Sequence, residues 1–145
     1  MSIKLKKPEE KYLSEIIILL QVISKYYPKE LDYRLILRSF LNQKYVFGVI
    51  ALDTTNDDKT EKVVGFGSLH LSRKIRGGVI GFIEEVVVHE NYRGRGIGKL
   101  IIEELIDNAK NEDCYKLVLE CREERKGFYE KLGFNNSGHA MSLIL

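Results

Sequence analysis

Three runs rich in β-branched and aromatic residues follow one another through the middle of the chain. They are YVFGVIALD (Tyr45–Asp53), KVVGFGSLHL (Lys62–Leu71) and VIGFIEEVVV (Val79–Val88). Only short turns separate them, the polar TTNDDKTE and the basic SRKIRGG. A parallel connection needs a crossover of a dozen residues or more, so these runs are restricted to an antiparallel meander. The third run feeds directly into RGRGIG (Arg93–Gly98) and then an apolar-periodic helix.

The flanking segments complete the outline. IKLKK (Ile3–Lys7) alternates apolar and basic residues and reads as a first strand that Pro8 ends. EEKYLSEIIILLQVISKYY predicts a helix with acids in its first turn, broken at Tyr27 by Pro28. A second helix is expected from about Lys29 to Leu41. The helix after the glycines should span Ile97 to Asn111, with Ile97, Leu100, Ile101, Leu105 and Ala109 as its apolar stripe. CYKLVLEC reads as a strand, and ERKGFYEKLG as a short helix that Gly133 caps. NNSGHAMSLIL reads as a turn and a closing strand. The expected architecture is α/β (α+β): a single mixed, mostly antiparallel sheet flanked by helices. The 145 residues fit one domain, 1–145.

Several function classes recede at this stage. A net charge of +2 is too small for a general nucleic-acid binder. No apolar run is long enough to span a bilayer, so no membrane partner is expected. MSIKLKKPEEKYL lacks the apolar core of a secretory leader, and a cytoplasmic protein is expected. Cys114 and Cys121 bracket a strand, which sets their Cα atoms about 20 Å apart. A disulfide needs about 7 Å or less, so both should be free thiols. No metal site is expected from the scattered His70, His89 and His139, which read as packing or surface residues.

The glycine loop points to an anion. Unpaired N–H groups and the positive end of the dipole meet at a helix N-terminus, and glycines allow close approach. Arg93 and Arg95 add charge. A nucleotide P-loop is excluded because Leu100, not Ser or Thr, follows Lys99. The dinucleotide fingerprint is excluded because Gly94, Gly96 and Gly98 run Gly-x-Gly-x-Gly.

A meander followed by RGRGIG and a helix resembles the GNAT N-acetyltransferases, whose signature is Gln/Arg-x-x-Gly-x-Gly/Ala. IEEVVV, YRGRGIGKL, CYKLVLEC and GFYEKLGF are similar to the glucosamine 6-phosphate branch of that family, over about Ile83 to Phe134. The resemblance implies that acetyl-CoA is the cosubstrate. Its diphosphate would lie on Arg93, Gly94, Arg95, Gly96, Ile97, Gly98 and Lys99. Its pantetheine arm would pair with the backbone of Val86, Val87 and Val88, and its thioester would sit where that strand and the Leu117 strand part.

The resemblance also implies roles for the acceptor side. Tyr129 would assist the departing thiolate, and Glu120 would orient the amine. Lys116 would reach the substrate phosphate, across a dimer interface, with Tyr115 beside it. Arg73, Lys74 and Ser24 fall near family substrate positions. Glu84 and Glu85, on adjacent strand positions, should point to opposite faces, so that one meets the sugar or relays the proton. The implied reaction is N-acetylation of glucosamine 6-phosphate, feeding UDP-N-acetylglucosamine synthesis, by a homodimer. The chain departs from the branch at its end, where Ile144 stands near a family arginine, and in REERKG, where Arg125 replaces a frequent Asn. These departures leave another small amine, an amino acid or a protein N-terminus open as acceptor.

Overall fold

The computed structural model describes residues 1–26, 33–55 and 60–145. Strands β1 (Ile3–Lys6), β2 (Val46–Asp53), β3 (Lys62–Arg73) and β4 (Val79–Val88) form the antiparallel meander in that order. Strand β5 (Cys114–Leu119) joins β4 in parallel at the other end. Helix α3 (Ile97–Asn111) makes the crossover that a parallel pair requires.

Two layers of helices cover the sheet. On one face α3 buries Ile97, Ile101, Ile102, Leu105 and Ala109 against Val49, Ala51, Val64, Leu69 and Ile83. The approach is close because β3 presents glycine there. A Cβ on Gly67 would stand 2.7 Å from Cγ2 of Ile101. The buried stripe differs from the expected one in a single residue. Leu100 is 42% exposed, and Ile102 is buried in its place. At 100° per residue Ile97, Ile101, Leu105, Ala109 and Ile102 share one arc, whereas Leu100 falls outside it.

On the other face α1 (Leu13–Leu20) sets Ile16 and Leu19, with Tyr12, against Ile50, Leu52, Val63, Phe66 and Val87. Helix α2 (Tyr33–Leu41) adds Leu37 against Leu13 and Ile17. The helix expected to run to Tyr27 ends at Leu20. Gln21 stops it: its side-chain amide donates to the carbonyls of Ile17 and Tyr26, both at 2.9 Å. The Ile17 carbonyl is thereby satisfied by a side chain, while those of Ile18, Leu19 and Leu20 accept from the backbone of the turn that follows. Pro28 and the expected start of the second helix lie outside the described residues, as does part of the TTNDDKTE turn. Helix α4 (Lys126–Lys131) ends before Gly133, whose φ of 98° makes it the left-handed stop expected there.

The closing strand does not form. Residues 135–145 contain no strand, and Met141, Leu143, Ile144 and Leu145 are exposed. Apolar residues supply some strand propensity, but this segment pairs with neither the open edge of β5 nor any other strand. Among the described residues no helix is long and apolar enough to cross a membrane.

Candidate functional site

Helix α3 begins without a cap. Its N-cap is Gly96, at φ 81° and ψ 7°, which has no side chain to offer. Backbone bonding begins with the Leu100 N–H donating to the Gly96 carbonyl at 3.1 Å. The N–H groups of Ile97, Gly98 and Lys99 precede that bond and point out of the helix end. Gly94 is also left-handed, at φ 76°, and a Cβ on either glycine would meet nothing within 4 Å. The result is a backbone turn with donors at the helix end and open space beside both glycines.

Neighbouring side chains brace this loop. Arg93 donates from Nε to the Val88 carbonyl at 3.3 Å. The Arg95 guanidinium lies 5.3 Å from the centre of the Tyr92 ring. The Tyr92 hydroxyl in turn donates to Asp53 at 2.6 Å. Hydrogen bonds from the Thr55 hydroxyl, then Tyr92, hold the Asp53 carboxyl down at about 2. It is therefore ionised across the working pH range and anchors Tyr92. Lys99 pairs with Glu103 one turn on, at 3.8 Å.

The loop opens towards a fork in the sheet. Strands β4 and β5 stay paired as far as Ile83 and Leu119, and then part. Beyond that point Val87 and Val88 pair only with Phe66 and Gly65 of β3, which leaves the other backbone edge of Val86–Val88 facing the fork. Tyr129, on α4, packs edge-on against Phe128 and Phe134 at 5.0 and 5.9 Å. Burial, then the neighbouring Cys121, pushes its phenol up, against a smaller opposing effect of Arg125. The phenol therefore stays protonated at neutral pH. Glu120 follows the end of β5 and is exposed, as is Cys121; both cysteines are free.

A bulge at the fork interrupts the regular pairing at Glu84 and Glu85. Between the pairs Ser68–Glu84 and Phe66–Val87, β4 carries one residue more than β3. Glu85 is the extra residue and takes a left-handed φ of 54°. Strict alternation fails there, so adjacency alone no longer sets the two carboxylates on opposite faces. Glu85 is pushed up by burial first and by Glu84 second, and drawn down by His70. His70 and Glu84 share one neighbourhood, with Nε2 of the ring close to the carboxylate.

That neighbourhood lies on the sheet face opposite α3. Ser68 is fully buried, and its hydroxyl donates to the Glu84 carbonyl at 3.1 Å. It also lies 3.1 Å from Nε2 of His70, and Nε2 is 3.6 Å from Oε2 of Glu84. By register, Phe82, Lys116 and Val118 share this face. The remaining positions from the resemblance stand further off. Lys74 lies 5.7 Å above the Phe82 ring, and Arg73 lies 5.5 Å from the Tyr45 ring. Tyr115 is exposed at the β5 edge, where its ring covers Gly78. Ser24 is exposed past the end of α1, where its backbone bonds to Leu20 and Tyr26.

His70 and Ser68 escaped the sequence reading. A lone histidine inside an apolar run carries no motif, and its approach to Glu84 depends on the pairing of β3 with β4. The spacing Ser-x-His on a strand was the available signal, since it puts both side chains on one face.

A model of the acetyltransferase (GNAT) family matches residues 16–134. With this fold and this loop, the chain belongs to that family. Glucosamine 6-phosphate N-acetyltransferase 1 of Dictyostelium discoideum is 41% identical over 101 residues, 68% of this chain and 62% of that protein. The chain thus spans less than two thirds of that relative's length. The solved structure of a Trypanosoma brucei acetyltransferase is similar at a TM-score of 0.87 and 31% identity, covering 99% of this chain and 100% of that one. Glucosamine-6-phosphate N-acetyltransferase from Arabidopsis thaliana follows at a TM-score of 0.86 and 28% identity, covering 99% of each chain.

Proposed function

We propose that this chain transfers the acetyl group of acetyl-CoA to the amine of glucosamine 6-phosphate, giving N-acetylglucosamine 6-phosphate for UDP-N-acetylglucosamine synthesis. The observation that carries the reading is the uncapped, doubly left-handed glycine start of α3 beside the β4–β5 fork. Free N–H groups of residues 97–99 and the helix dipole suit a diphosphate, with Arg93, Arg95 and Lys99 as counter-charges. The unpaired edge of Val86–Val88 suits an amide-bearing arm laid alongside it as a strand would lie. Bound acetyl-CoA supplies a thioester carbonyl for the amine to attack.

The chain's own groups do the rest. The extra residue of the β4 bulge lies outside the regular ladder beside the fork, and its backbone N–H is assigned to the developing oxyanion. Tyr129 is a protonated phenol, able to give its proton to a leaving thiolate. Glu84, Glu85 and Glu120 hold and orient an ammonium. Lys116 and Tyr115, with Arg73, Lys74 and Ser24 further out, are assigned to the sugar phosphate. Named relatives acting on glucosamine 6-phosphate support that acceptor. Ile144 in place of the branch's tail arginine favours a second reading, an unphosphorylated small amine as acceptor.

The protein is assigned as one domain acting as a cytoplasmic homodimer. The open β5 edge, a cavity of about 310 Å³ beside it and the exposed apolar tail support a second copy there. Release of CoA with glucosamine 6-phosphate, glucosamine, amino acids and polyamines tests the acceptor. A kcat/KM at least tenfold higher for the phosphorylated sugar supports the reading. Turnover of another amine without the sugar phosphate overturns it.

A further inference from the structure

We propose that His70 is a catalytic residue that takes the proton of the acceptor ammonium; the assignment rests on the acetyl-transfer reading above. A hydroxyl has one proton, and Ser68 gives its own to the Glu84 carbonyl at 3.1 Å. The Ser68 oxygen can then only accept from Nε2 of His70, also at 3.1 Å. In the neutral ring Nε2 therefore carries hydrogen, and Nδ1 holds the lone pair. The carboxylate of Glu84, 3.6 Å from Nε2, stands ready to stabilise the imidazolium that forms when Nδ1 takes a proton. A carboxylate plays the same part behind the histidine of a serine-protease triad.

The ring is fixed but not sealed in. Phe40 of α2 meets it edge-on at 6.3 Å and 80°, and 29% of the side chain remains open. The ionisable groups facing it are Glu84 and Glu85 on β4; α2 presents the Phe40 ring, and β2 offers Val46 as a register neighbour. Glu84 is the first residue past the last β4–β5 pair, so His70 lies one strand away from the opening of the fork. An amine reaching the thioester from the face opposite α3 therefore passes this cluster.

Magnitudes favour the imidazole over the carboxylates. An α-amine titrates near 8, an imidazole near 6.5 and a Glu carboxyl near 4.3 in model compounds. Between these model groups, proton transfer from amine to imidazole is uphill by roughly 30-fold and to a carboxylate by roughly 5,000-fold, a gap that is narrower for the raised carboxyl of Glu85. The protons balance. One leaves the ammonium for Nδ1, and the free amine forms the C–N bond as the C–S bond breaks. The second nitrogen proton replaces the one Tyr129 gives to sulfur, and the imidazolium releases its proton to solvent.

The test compares the parent with His70→Gln and His70→Ala. Acetyl-CoA affinity serves as the check on folding and on the loop site. The reading expects kcat at pH 7 to fall about 100-fold in His70→Gln, with acetyl-CoA affinity within twofold. The deficit should shrink at least tenfold by pH 9.5, where the amine is already free, and added imidazole should restore turnover in His70→Ala. A kcat within threefold of the parent at pH 7, a deficit that does not change with pH, or absence of rescue overturns the assignment. The assay uses whichever amine the parent acetylates, so failure of the sugar phosphate as substrate and failure of the His70 role give different results.

Discussion

Replacing Gly96 by Ala separates the backbone cost of the glycine loop from its role in binding. Gly96 sits at φ 81° and ψ 7°, where an L side chain costs about 1–2 kcal/mol. The new methyl meets nothing within 4 Å, so no clash adds to that cost. With an unfolding entropy of about 2.1 cal/mol/K per residue over 145 residues, Tm should fall by about 3–7 °C. The same methyl projects into the space assigned to the diphosphate. Loss of one hydrogen bond to a charged oxygen is worth about 1.5–3 kcal/mol, so acetyl-CoA Kd should rise by about 10- to 150-fold. Gly133→Ala is the matched control, since Gly133 has a φ of 98° and equally open surroundings at the end of α4. Thermal denaturation should show similar losses in both variants, and titration calorimetry a loss of affinity in Gly96→Ala alone. Parent-like affinity in Gly96→Ala, or equal losses in both, would refute the placement of the diphosphate.

Three further outcomes follow from the same geometry. Tyr129→Phe should lower kcat about 100-fold and leave acetyl-CoA Kd within threefold, read by CoA release and calorimetry; a fall in affinity with turnover intact contradicts the role of the phenol. Lys116→Ala should raise KM for glucosamine 6-phosphate at least tenfold more than KM for glucosamine, and equal effects remove Lys116 from the phosphate site. Glu85 has a folded pKa raised by burial and by Glu84, so its contribution to stability is present at acid pH and is lost as pH rises through that value. Glu85→Gln should therefore raise Tm by about 1–2 °C at pH 8 and leave it unchanged at pH 4; a gain independent of pH refutes the electrostatic cause.

The elements that could be read from the sequence are those whose signals are local. Helix α3 occupies the expected Ile97–Asn111 because glycine marks its start and apolar periodicity carries it through. The meander follows from loop length alone. Features that depend on a partner were not legible. HAMSLIL is rich in apolar residues, yet it pairs with no strand of the sheet. The early end of α1 depends on where the Gln21 amide reaches. In the site, the glycine loop and Tyr129 come from motifs, and they lie at the start of α3 and on α4. The break in alternation at Glu84 and Glu85 comes from a bulge, visible only once β4 is paired with β3. His70 belongs to the same case. Its neighbours are two residues away along β3 and one strand across, and a one-residue shift in register would separate it from Glu84.

The most direct test of the account is a crystal structure of the chain with acetyl-CoA. The account predicts diphosphate oxygens within about 3 Å of the N–H groups at Gly94–Lys99, the pantetheine arm against Val86–Val88, and the thioester at the β4–β5 fork. Diphosphate bound away from the start of α3, or a thioester lying outside the fork, would contradict it.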